Sequence, residues 1–303
     1  MSHRVVQLSD THFLEEGGEA EGGFSYDTAA AFDAVLAHMN NAGAETGTTI
    51  DMVAVTGDVA DHGTVGEYQR AAGAFARMGV PVNACPGNHD QHAVFNAVAR
   101  PQVSTSRVVH VDNWCHLFVD SNNGVLRTAD DGNLVDPDSY EDRLHINGIL
   151  GAREAAWIRE QVAATAADHV FIWLHHPPAP QAPLCDDADY AAEWRTVLDG
   201  LSSVRGIAGG HTHVPGHYEF EGVPVVMAPA FKNNFDLVER TLLPPGYVVH
   251  DFADDGSVVS TVQLVDSPEW PRHPYGRAVH SLMMGELSWD TFNEIVARKT
   301  ASA

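Results

Sequence analysis

The sequence predicts an α/β protein built as a four-layer αββα sandwich, in which two mixed sheets pack face to face between outer helices. Two observations favour this fold class. Short apolar runs alternate with segments of helical periodicity in the first part of the chain, which is the pattern of βαβ units. Strand-like runs then dominate the region after residue 215, which indicates a second sheet.

The predicted βαβ units occupy residues 4–85. Residues 4–8, 51–55 and 80–85 are predicted strands, because each is a short apolar run bounded by polar residues. Between them, one helix is capped by Asp27 and a second helix covers about residues 65–78. Strands connected through such helices pair in parallel.

Two short strands and a long loop are predicted next. Residues 107–111 and 115–119 are close enough in sequence to form an antiparallel pair. Residues 121–147 are rich in Asp, Gly and Asn and have little periodicity. A loop of this length in a compact domain is usually functional or disordered. We therefore expect either a lid or rim beside the functional site or a mobile insertion.

The remaining pattern completes both sheets. Helical spacing returns at residues 155–162 and 188–201, and each of these helices precedes a predicted strand, at 169–174 and 204–208. The second sheet is predicted to contain residues 218–220, 223–227, 247–252 and 258–265.

Composition limits the partners of this chain. Its 303 residues, 44% of them hydrophobic, can bury a full core. The three cysteines are widely spaced without a C-x-x-C pair, so a reduced, cytoplasmic protein is expected. The formal charge of −24 disfavours an extended nucleic-acid surface, because phosphate backbones bind clustered Lys and Arg. Neither a signal sequence nor a membrane span is predicted.

Polar residues typical of functional sites follow five predicted strands. Each such segment alone is common in turns and loops, but their joint occurrence at strand ends favours one site. The carboxyl ends of parallel strands form the crevice in which open α/β sheets bind ligands. The segments are Asp10-Thr11-His12, Gly57-Asp58, Gly87-Asn88-His89-Asp90, His175-His176-Pro177 and Gly209-Gly210-His211-Thr212-His213.

The donor atoms in these segments predict two metal ions. Carboxylate oxygens, imidazole nitrogens and an amide oxygen suit Mn²⁺, Fe, Co²⁺, Ni²⁺ or Zn²⁺, whereas Ca²⁺ prefers oxygen ligands only. Seven donors are too many for one tetrahedral ion but fit two ions that share a bridging carboxylate. The predicted ligands are Asp10, His12, Asp58, Asn88, His175, His211 and His213.

Together the segments resemble the signature of calcineurin-like metallophosphoesterases, which runs Asp-x-His, Gly-Asp, Gly-Asn-His-Asp/Glu, His and Gly-His-x-His. Each element is present without substitution, and the resemblance covers about residues 3–232. It implies the metallophosphoesterase fold and a cofactor of two divalent or trivalent metal ions (Mn, Fe, Zn or Co).

The resemblance also implies a role for each residue. It places one metal on Asp10, His12, Asp58 and His213, and the other on Asp58, Asn88, His175 and His211. Asp58 would bridge the metals, and His89 would lie outside the ligand set, close to the bound phosphate. His89, Asn88 and Asp58 are the implied catalytic residues. The choice of His175 over the adjacent His176 rests on the family pattern.

Two further segments point to a branch of this family. The chain looks most like bacterial class III cyclic-nucleotide phosphodiesterases and glycerophosphodiesterases in Glu67-Tyr68-Gln69, which precedes Pro86-Gly87-Asn88-His89-Asp90, and in His175-His176-Pro177-Pro178. The leading hypothesis is hydrolysis of a small anionic phosphodiester, a cyclic nucleotide such as cAMP, by a hydroxide that bridges two metals. Alternative substrates are glycerophosphodiesters, phospholipid headgroups and phosphomonoesters. The intact ligand set disfavours a non-enzymatic scaffold.

The C-terminal region is predicted to be an appendage. We place the catalytic domain at residues 1–266 and the appendage at residues 267–303. Ser288 is a predicted N-cap, and Phe292, Ile295 and Val296 form an apolar stripe. The stripe is expected to pack on the domain's own sandwich or on a partner subunit, with a homodimer or higher homo-oligomer favoured.

Overall fold

The computed structural model describes residues 3–18, 27–98, 102–122, 148–181, 187–236, 238–239 and 241–267, and a few C-terminal residues (278, 281, 286–288, 290–292 and 294–295). Within these ranges the helices are α1 (Thr28–Thr46), α2 (Val65–Phe75), α3 (His92–Val98), α4 (Gly151–Ala164) and α5 (Ala188–Leu198). The strands are β1 (His3–Leu8), β2 (Met52–Thr56), β3 (Val82–Cys85), β4 (Val108–Val111), β5 (Trp114–Phe118), β6 (His169–Trp173), β7 (Val204–Gly209), β8 (Gly216–Phe220), β9 (Val223–Met227), β10 (Asn234–Asp236), β11 (Thr241–Leu243), β12 (Gly246–Phe252) and β13 (Val258–Leu264).

Two large mixed sheets form the centre of the fold, as predicted. The first has the order β13-β12-β1-β2-β3, in which β1, β2 and β3 are parallel and β12 runs antiparallel to β1. The second has the order β4-β5-β6-β7-β9-β8, with β5, β6, β7 and β9 parallel. Strands β4 and β8 pair antiparallel at its two edges, and β4–β5 is the antiparallel pair expected from the sequence.

Outer helices cover each sheet because the strands alternate their side chains between two apolar faces. On β1, Val6 and Leu8 pack under α1, α2 and α3, whereas Val5 faces the other sheet. Strands β5, β6 and β7 direct a second set of buried side chains against α4 and α5. This arrangement gives the four-layer αββα sandwich.

The layer between the sheets is aromatic and contains buried histidines. Trp114, Trp173, Phe171 and Phe252 are at most 2% exposed and belong to one cluster that joins the two sheets. The histidines lie beside them and link strands of both sheets. They include His3 on β1, His116 on β5 and His250 on β12, and Nε2 of His3 lies 2.9 Å from Nε2 of His116.

The helix starts follow from local capping chemistry. The Asp27 side chain accepts hydrogen bonds from the backbone N–H groups of Ala29 and Ala30, as its prediction as an N-cap requires. At the start of α2, Thr64 and Glu67 form a reciprocal capping box. Such caps satisfy N–H groups that have no partner inside the helix.

The assignment of late strands to a separate second sheet is wrong. The pair β8 and β9 extends the sheet of β4–β7, whereas β12 and β13 extend the sheet of β1–β3. Periodicity indicates that a segment is a strand, but its neighbours are set by long-range packing. The short helix α3 and the hairpin of β10 and β11 were not predicted.

Two predictions fall mainly outside the described residues. Of the long loop predicted at 121–147, residues 123–147 lie outside them, so its role as a lid or insertion stays a prediction. In the appendage, Phe292 is 3% exposed and packs with Val214, Phe235 and Leu242 of the same chain. The described part of the stripe therefore contacts its own sandwich. The domain division at residue 266 and the homodimer remain predictions.

Candidate metal centre

The seven predicted ligands converge at one end of the sandwich. Asp10 and His12 follow β1, Asp58 follows β2 and Asn88 follows β3, all in the first sheet. Three more come from the second sheet, where they follow β6 and β7. They are His175, His211 and His213. The site therefore lies at the carboxyl ends of parallel strands and spans both sheets.

Asp58 lies at the middle of this group. Its Oδ2 is 3.2 Å from Nε2 of His175 and 3.5 Å from Nε2 of His12. Oδ1 of Asn88 is 3.0 Å from the same Nε2 of His175 and 3.2 Å from Nδ1 of His211. Asp58 thus contacts residues on both sides of the site, as a bridging carboxylate must.

Asp10 joins the two histidines of the last segment. Its Oδ1 is 3.3 Å from Nε2 of His213, and its carboxylate accepts a hydrogen bond from the backbone N–H of His211 at 3.1 Å. Donor atoms of Asp10, His12 and His213 lie within 4.8 Å of one another, as do those of Asp10, Asp58 and His175. Both sets have the compactness of a metal-ligand cluster.

The backbone at these positions adopts the left-handed conformation. Seven non-glycine residues of the described chain have positive φ, and five are predicted ligands: Asp10, His12, Asp58, His211 and His213. This conformation costs an L-residue about 1–2 kcal/mol, so it persists only where the surroundings impose it. The turns after β1, β2 and β7 are therefore shaped to direct these side chains inward.

Two glycines of the motifs are required by close approach. A Cβ atom on Gly87 would collide with the carboxylate and backbone N of Asp58, and one on Gly210 would collide with Ser9 and the carboxylate of Asp10. The ligands can approach each other only because these positions lack side chains.

Asp90 and Tyr68 hold the loop that carries Asn88 and His89. The Asp90 carboxylate accepts hydrogen bonds from the backbone N–H groups of Gly87, Val59 and Ala60, and from the hydroxyl of Tyr68. Burial, together with the nearby Asp58 charge, raises the pKa of Asp90. This residue joins the loops after β2 and β3 and is not placed as a ligand.

His89, predicted to lie outside the ligand set, is beside the predicted ligands, and donor atoms of His89, His12 and Asp61 lie within 4.8 Å of one another. Its backbone N–H donates to Oδ1 of Asp58 at 2.9 Å, and Nδ1 lies 2.6 Å from the carbonyl oxygen of Asp61. Because a carbonyl oxygen can only accept a hydrogen bond, Nδ1 carries a hydrogen and is the donor. The ring centroid of His89 is 4.7 Å from that of His12.

The structure separates His175 from its neighbour His176. His175 directs Nε2 toward Asp58 and Asn88, and its Nδ1 lies 2.9 Å from the carbonyl oxygen of Thr56. His176 directs Nδ1 toward Oγ of Ser121, at 2.9 Å, and its ring packs on His211. This orientation favours His175 as the ligand, although donor atoms of both histidines lie within 4.8 Å of His211.

Electrostatics favour ionised carboxylates and a neutral His211. Burial raises the pKa of Asp10, but the hydrogen bond and charge of His213 outweigh it and leave a pKa of about 2. The pKa of Asp58 is also well below its usual range, because His175 and His89 outweigh burial. Burial lowers the pKa of His211 to about 3. His175 differs, since Asp58 overcomes burial and raises its pKa to about 9.

Asp61 and Asn233 contact predicted ligands, Lys232 contacts Asp61, and all three residues were missed by the sequence analysis. Oδ1 of Asp61 lies 2.7 Å from both Nδ1 of His12 and Nζ of Lys232. Oδ1 of Asn233 lies 2.5 Å from Nδ1 of His213. One signal was available, because Lys232 is one of only two lysines in the sequence.

Comparison with known proteins decides the family. Residues 3–215 match the family model of the calcineurin-like phosphoesterases, well over half of the chain. The chain belongs to this family.

Relatives of this calcineurin-like phosphoesterase include bacterial enzymes. A cAMP/cGMP dual-specificity phosphodiesterase of Mycobacterium tuberculosis is 29% identical over 75% of this chain and 66% of its own length. The 3',5'-cyclic adenosine monophosphate phosphodiesterase CpdA of Escherichia coli is 26% identical over 87% of this chain and 90% of its own length. Family and relatives identify the chain as a metal-dependent phosphoric ester hydrolase.

Solved structures show the same fold at low identity. A dimetal phosphatase from Danio rerio superimposes with a TM-score of 0.64 at 14% identity, over 88% of this chain and 97% of its own. GAP50, the anchor in the inner membrane complex of Plasmodium, gives a TM-score of 0.57 at 12% identity, over 88% of this chain and 85% of its own. Because these identities are low, the likeness concerns fold alone.

The residues of this calcineurin-like phosphoesterase fit the dinuclear metal centre that the family implies. Nε2 of His12 and Nε2 of His211 are buried without a hydrogen-bond partner among the described residues. Buried polar atoms normally have partners, and a metal ion would supply one for each nitrogen. The surrounding oxygen and nitrogen donors suit divalent transition metals. Separately, no helix in the described ranges has the length and apolarity needed to span a membrane.

Proposed function

We propose that the protein hydrolyses cyclic nucleotides such as cAMP with two metal ions held by the seven converging residues. Asp10, His12, Asp58 and His213 would hold one ion, and Asp58, Asn88, His175 and His211 the other. The observation that carries the proposal is the convergence of these donors around Asp58, which contacts both groups. The names of the bacterial relatives supply the substrate class.

The chain's own groups prepare the site for a phosphodiester. When bound, two metal ions would activate water and neutralise charge on the phosphate oxygens. Asp58 and Asp10 supply the negative charge that holds cations in a site that is almost fully buried. Asn88 adds a neutral oxygen donor. It would bind a metal ion without adding negative charge that would repel an anionic substrate.

His89 would assist the departure of the leaving group. Its Nδ1–H donates to the carbonyl oxygen of Asp61, which fixes the ring and directs Nε2 away from Asp61. In its protonated form, Nε2 can donate to a phosphoryl oxygen or to the departing alkoxide as the ester bond breaks. A fixed donor at that position stabilises the charge that develops in the transition state.

A substrate panel tests the proposal. The purified protein, supplied in turn with Mn²⁺, Fe²⁺, Co²⁺ and Zn²⁺, is assayed with cAMP, cGMP, a glycerophosphodiester and a phosphomonoester. Ring opening of cAMP or cGMP to the nucleoside monophosphate, faster than cleavage of the other esters, is the expected result. Preferential cleavage of the glycerophosphodiester or the monoester would show that the substrate is not a cyclic nucleotide. Hydrolysis of none of them with any metal would overturn the proposal.

A further inference from the structure

The loop between β9 and β10 is unusual because it is buried. Residues 225–235 are all buried, although residues 228–233 belong to no strand or helix. Loops normally run over the surface, since their backbone groups need water or other partners. This loop lies beyond residues 3–215, the part of the chain that the family model matches. The motifs of the matched region therefore do not account for the burial of this loop.

Hydrogen bonds fix this loop on both sides. The backbone N–H of Phe231 donates to the carbonyl oxygen of Asp10 at 3.0 Å. The Asn234 side chain accepts from the backbone N–H of Ala230 and donates to the carbonyl oxygens of Ala230 and Pro244. The two residues between these anchors, Lys232 and Asn233, are thus presented to the site in defined positions.

Asn233 sets the orientation of His213. Its Oδ1 lies 2.5 Å from Nδ1 of His213, and an amide oxygen can only accept, so the proton of the neutral ring lies on Nδ1. Nε2 then lies on the side of Asp10, 3.3 Å away, where its lone pair would be available to a metal ion that Asp10 also binds. Outer hydrogen bonds of this kind fix the tautomer and the ring direction of metal-binding histidines.

Lys232 acts on His12 through Asp61. The Asp61 carboxylate is fully buried, and its Oδ1 accepts a hydrogen bond from Nζ of Lys232 at 2.7 Å. The same oxygen lies 2.7 Å from Nδ1 of His12. A buried carboxylate needs a charged partner, and Lys232 supplies it. Nδ1 of His12 therefore faces a buried carboxylate whose charge is balanced by a lysine of the loop.

Both histidines that receive this support belong to the same proposed metal position. His12 and His213 would bind one ion together with Asp10, whose carbonyl is held by Phe231. In the other position, His175 is oriented by the carbonyl of Thr56 instead. We propose that residues 231–233 position the ligands of the Asp10–His12–His213 metal and leave the second metal position unaffected. This inference rests on the dinuclear centre of the proposed function.

Titration of the metal-free protein with Co²⁺ tests the inference without using activity. Calorimetry and the visible absorption of bound Co²⁺ measure stoichiometry and affinity. The wild type should bind two Co²⁺ ions. Asn233→Leu should weaken one of the two sites about 10–100-fold, because loss of an outer partner typically costs this much in metal affinity. Asn233→Asp retains the acceptor and should restore the affinity.

Double variants identify the weakened position. In a His213→Ala background, Asn233→Leu should lower the Co²⁺ affinity little further, because the partner of the amide is already absent. In a His211→Ala background, Asn233→Leu should lower the affinity by the same factor as in the wild type. Lys232→Met should weaken the same position as Asn233→Leu. Arg195→Met, which removes a cation from an exposed ion pair with Glu221 at 2.8 Å, is the matched control and should leave both sites unchanged.

Several results would overturn the inference. Equal weakening of both sites would show that the loop only stabilises the fold, and unchanged affinity would show that it has no influence. Tighter binding in Lys232→Met would show that the ammonium group merely repels the metals. If the wild type binds two Co²⁺ ions but does not hydrolyse cyclic nucleotides, the substrate proposal fails and this inference stands. If it binds fewer than two, the metal centre and the inference both fail.

Discussion

His250 is expected to make the folded protein sensitive to acid. Its ring is fully buried between the sheets, with Nδ1 2.8 Å from Oγ of Ser260 and Nε2 3.1 Å from Oε1 of Gln7. Gln7 uses its amide N–H groups on Thr56 and Gly209, so its oxygen faces the imidazole. His250 therefore donates through Nε2 and accepts through Nδ1, which is the neutral form of the ring. Burial, with a smaller contribution from His217, lowers the pKa of His250 to about 3.

The sign of the effect follows from proton uptake. In the unfolded chain the histidine takes up a proton below pH 6.5, whereas in the folded protein it does so only near pH 3. The free energy of unfolding therefore falls as the pH decreases through this window. One group changes it by about 1.4 kcal/mol per pH unit at most, so His250 should contribute a loss of about 2 kcal/mol between pH 7 and pH 5. Burial also lowers the pKa of His3 and of His116, which adds to the same trend.

Urea unfolding at pH 7 and pH 5 measures this contribution. His250→Gln removes the titrating group, so its loss of stability between the two pH values should be smaller than that of the wild type by about 2 kcal/mol. Ser260→Ala removes the hydrogen bond but retains the imidazole, so it should be less stable at both pH values and keep most of the pH dependence. Contributions from the metal site cancel in the comparison. Equal losses in His250→Gln and the wild type would refute the reasoning.

Three further variants test the site and the tail. Asp58→Asn should lose at least one metal by elemental analysis and nearly all activity, because the shared negative charge is removed; two bound metals with normal turnover would exclude the bridging role. His89→Ala should keep both metals and lose about 10²–10³ in kcat on an alkyl diester, with a smaller loss on a nitrophenyl diester, whose leaving group needs no proton. A metal-depleted His89→Ala would contradict its place outside the ligand set. Phe292→Ala should lower the free energy of unfolding by about 3 kcal/mol in urea, since a buried aromatic side chain is removed, and an unchanged midpoint would show that the tail contact is not stabilising. Light scattering of the full chain at micromolar concentration tests the homodimer, which a monomer would exclude.

Local patterns predicted the strands that carry the site. The apolar runs before Asp10, Asp58 and Asn88 form β1, β2 and β3, because a parallel strand buried on both faces is a nearly continuous apolar run. Pairing was harder to predict. The same local pattern is compatible with either sheet for β12, whose position beside β1 depends on contacts with residues near the opposite end of the sequence.

The seven ligands could be proposed from the sequence because their residue types and spacing carry the chemistry of metal binding. Lys232 and Asn233 could not, since a lysine followed by two asparagines usually indicates an exposed turn. Asn233 pairs with His213, and Lys232 pairs with Asp61, a fully buried carboxylate distant in sequence. Its need for a charged partner appears only once the loops after β2 and β9 lie together.

The position of β1 determines when the first sheet can finish pairing during protein synthesis. In its sheet, β1 lies between β2 and β12. The ribosome synthesises β2 soon after β1, but it synthesises β12 near the end of the sheet, just before β13. A nascent chain that has folded its first βαβ units therefore exposes one unpaired edge of β1 until residues 246–252 leave the ribosome. Open strand edges promote aggregation. This topology therefore predicts that a chain truncated within β12 leaves one edge of β1 unpaired and aggregates more readily than the full chain.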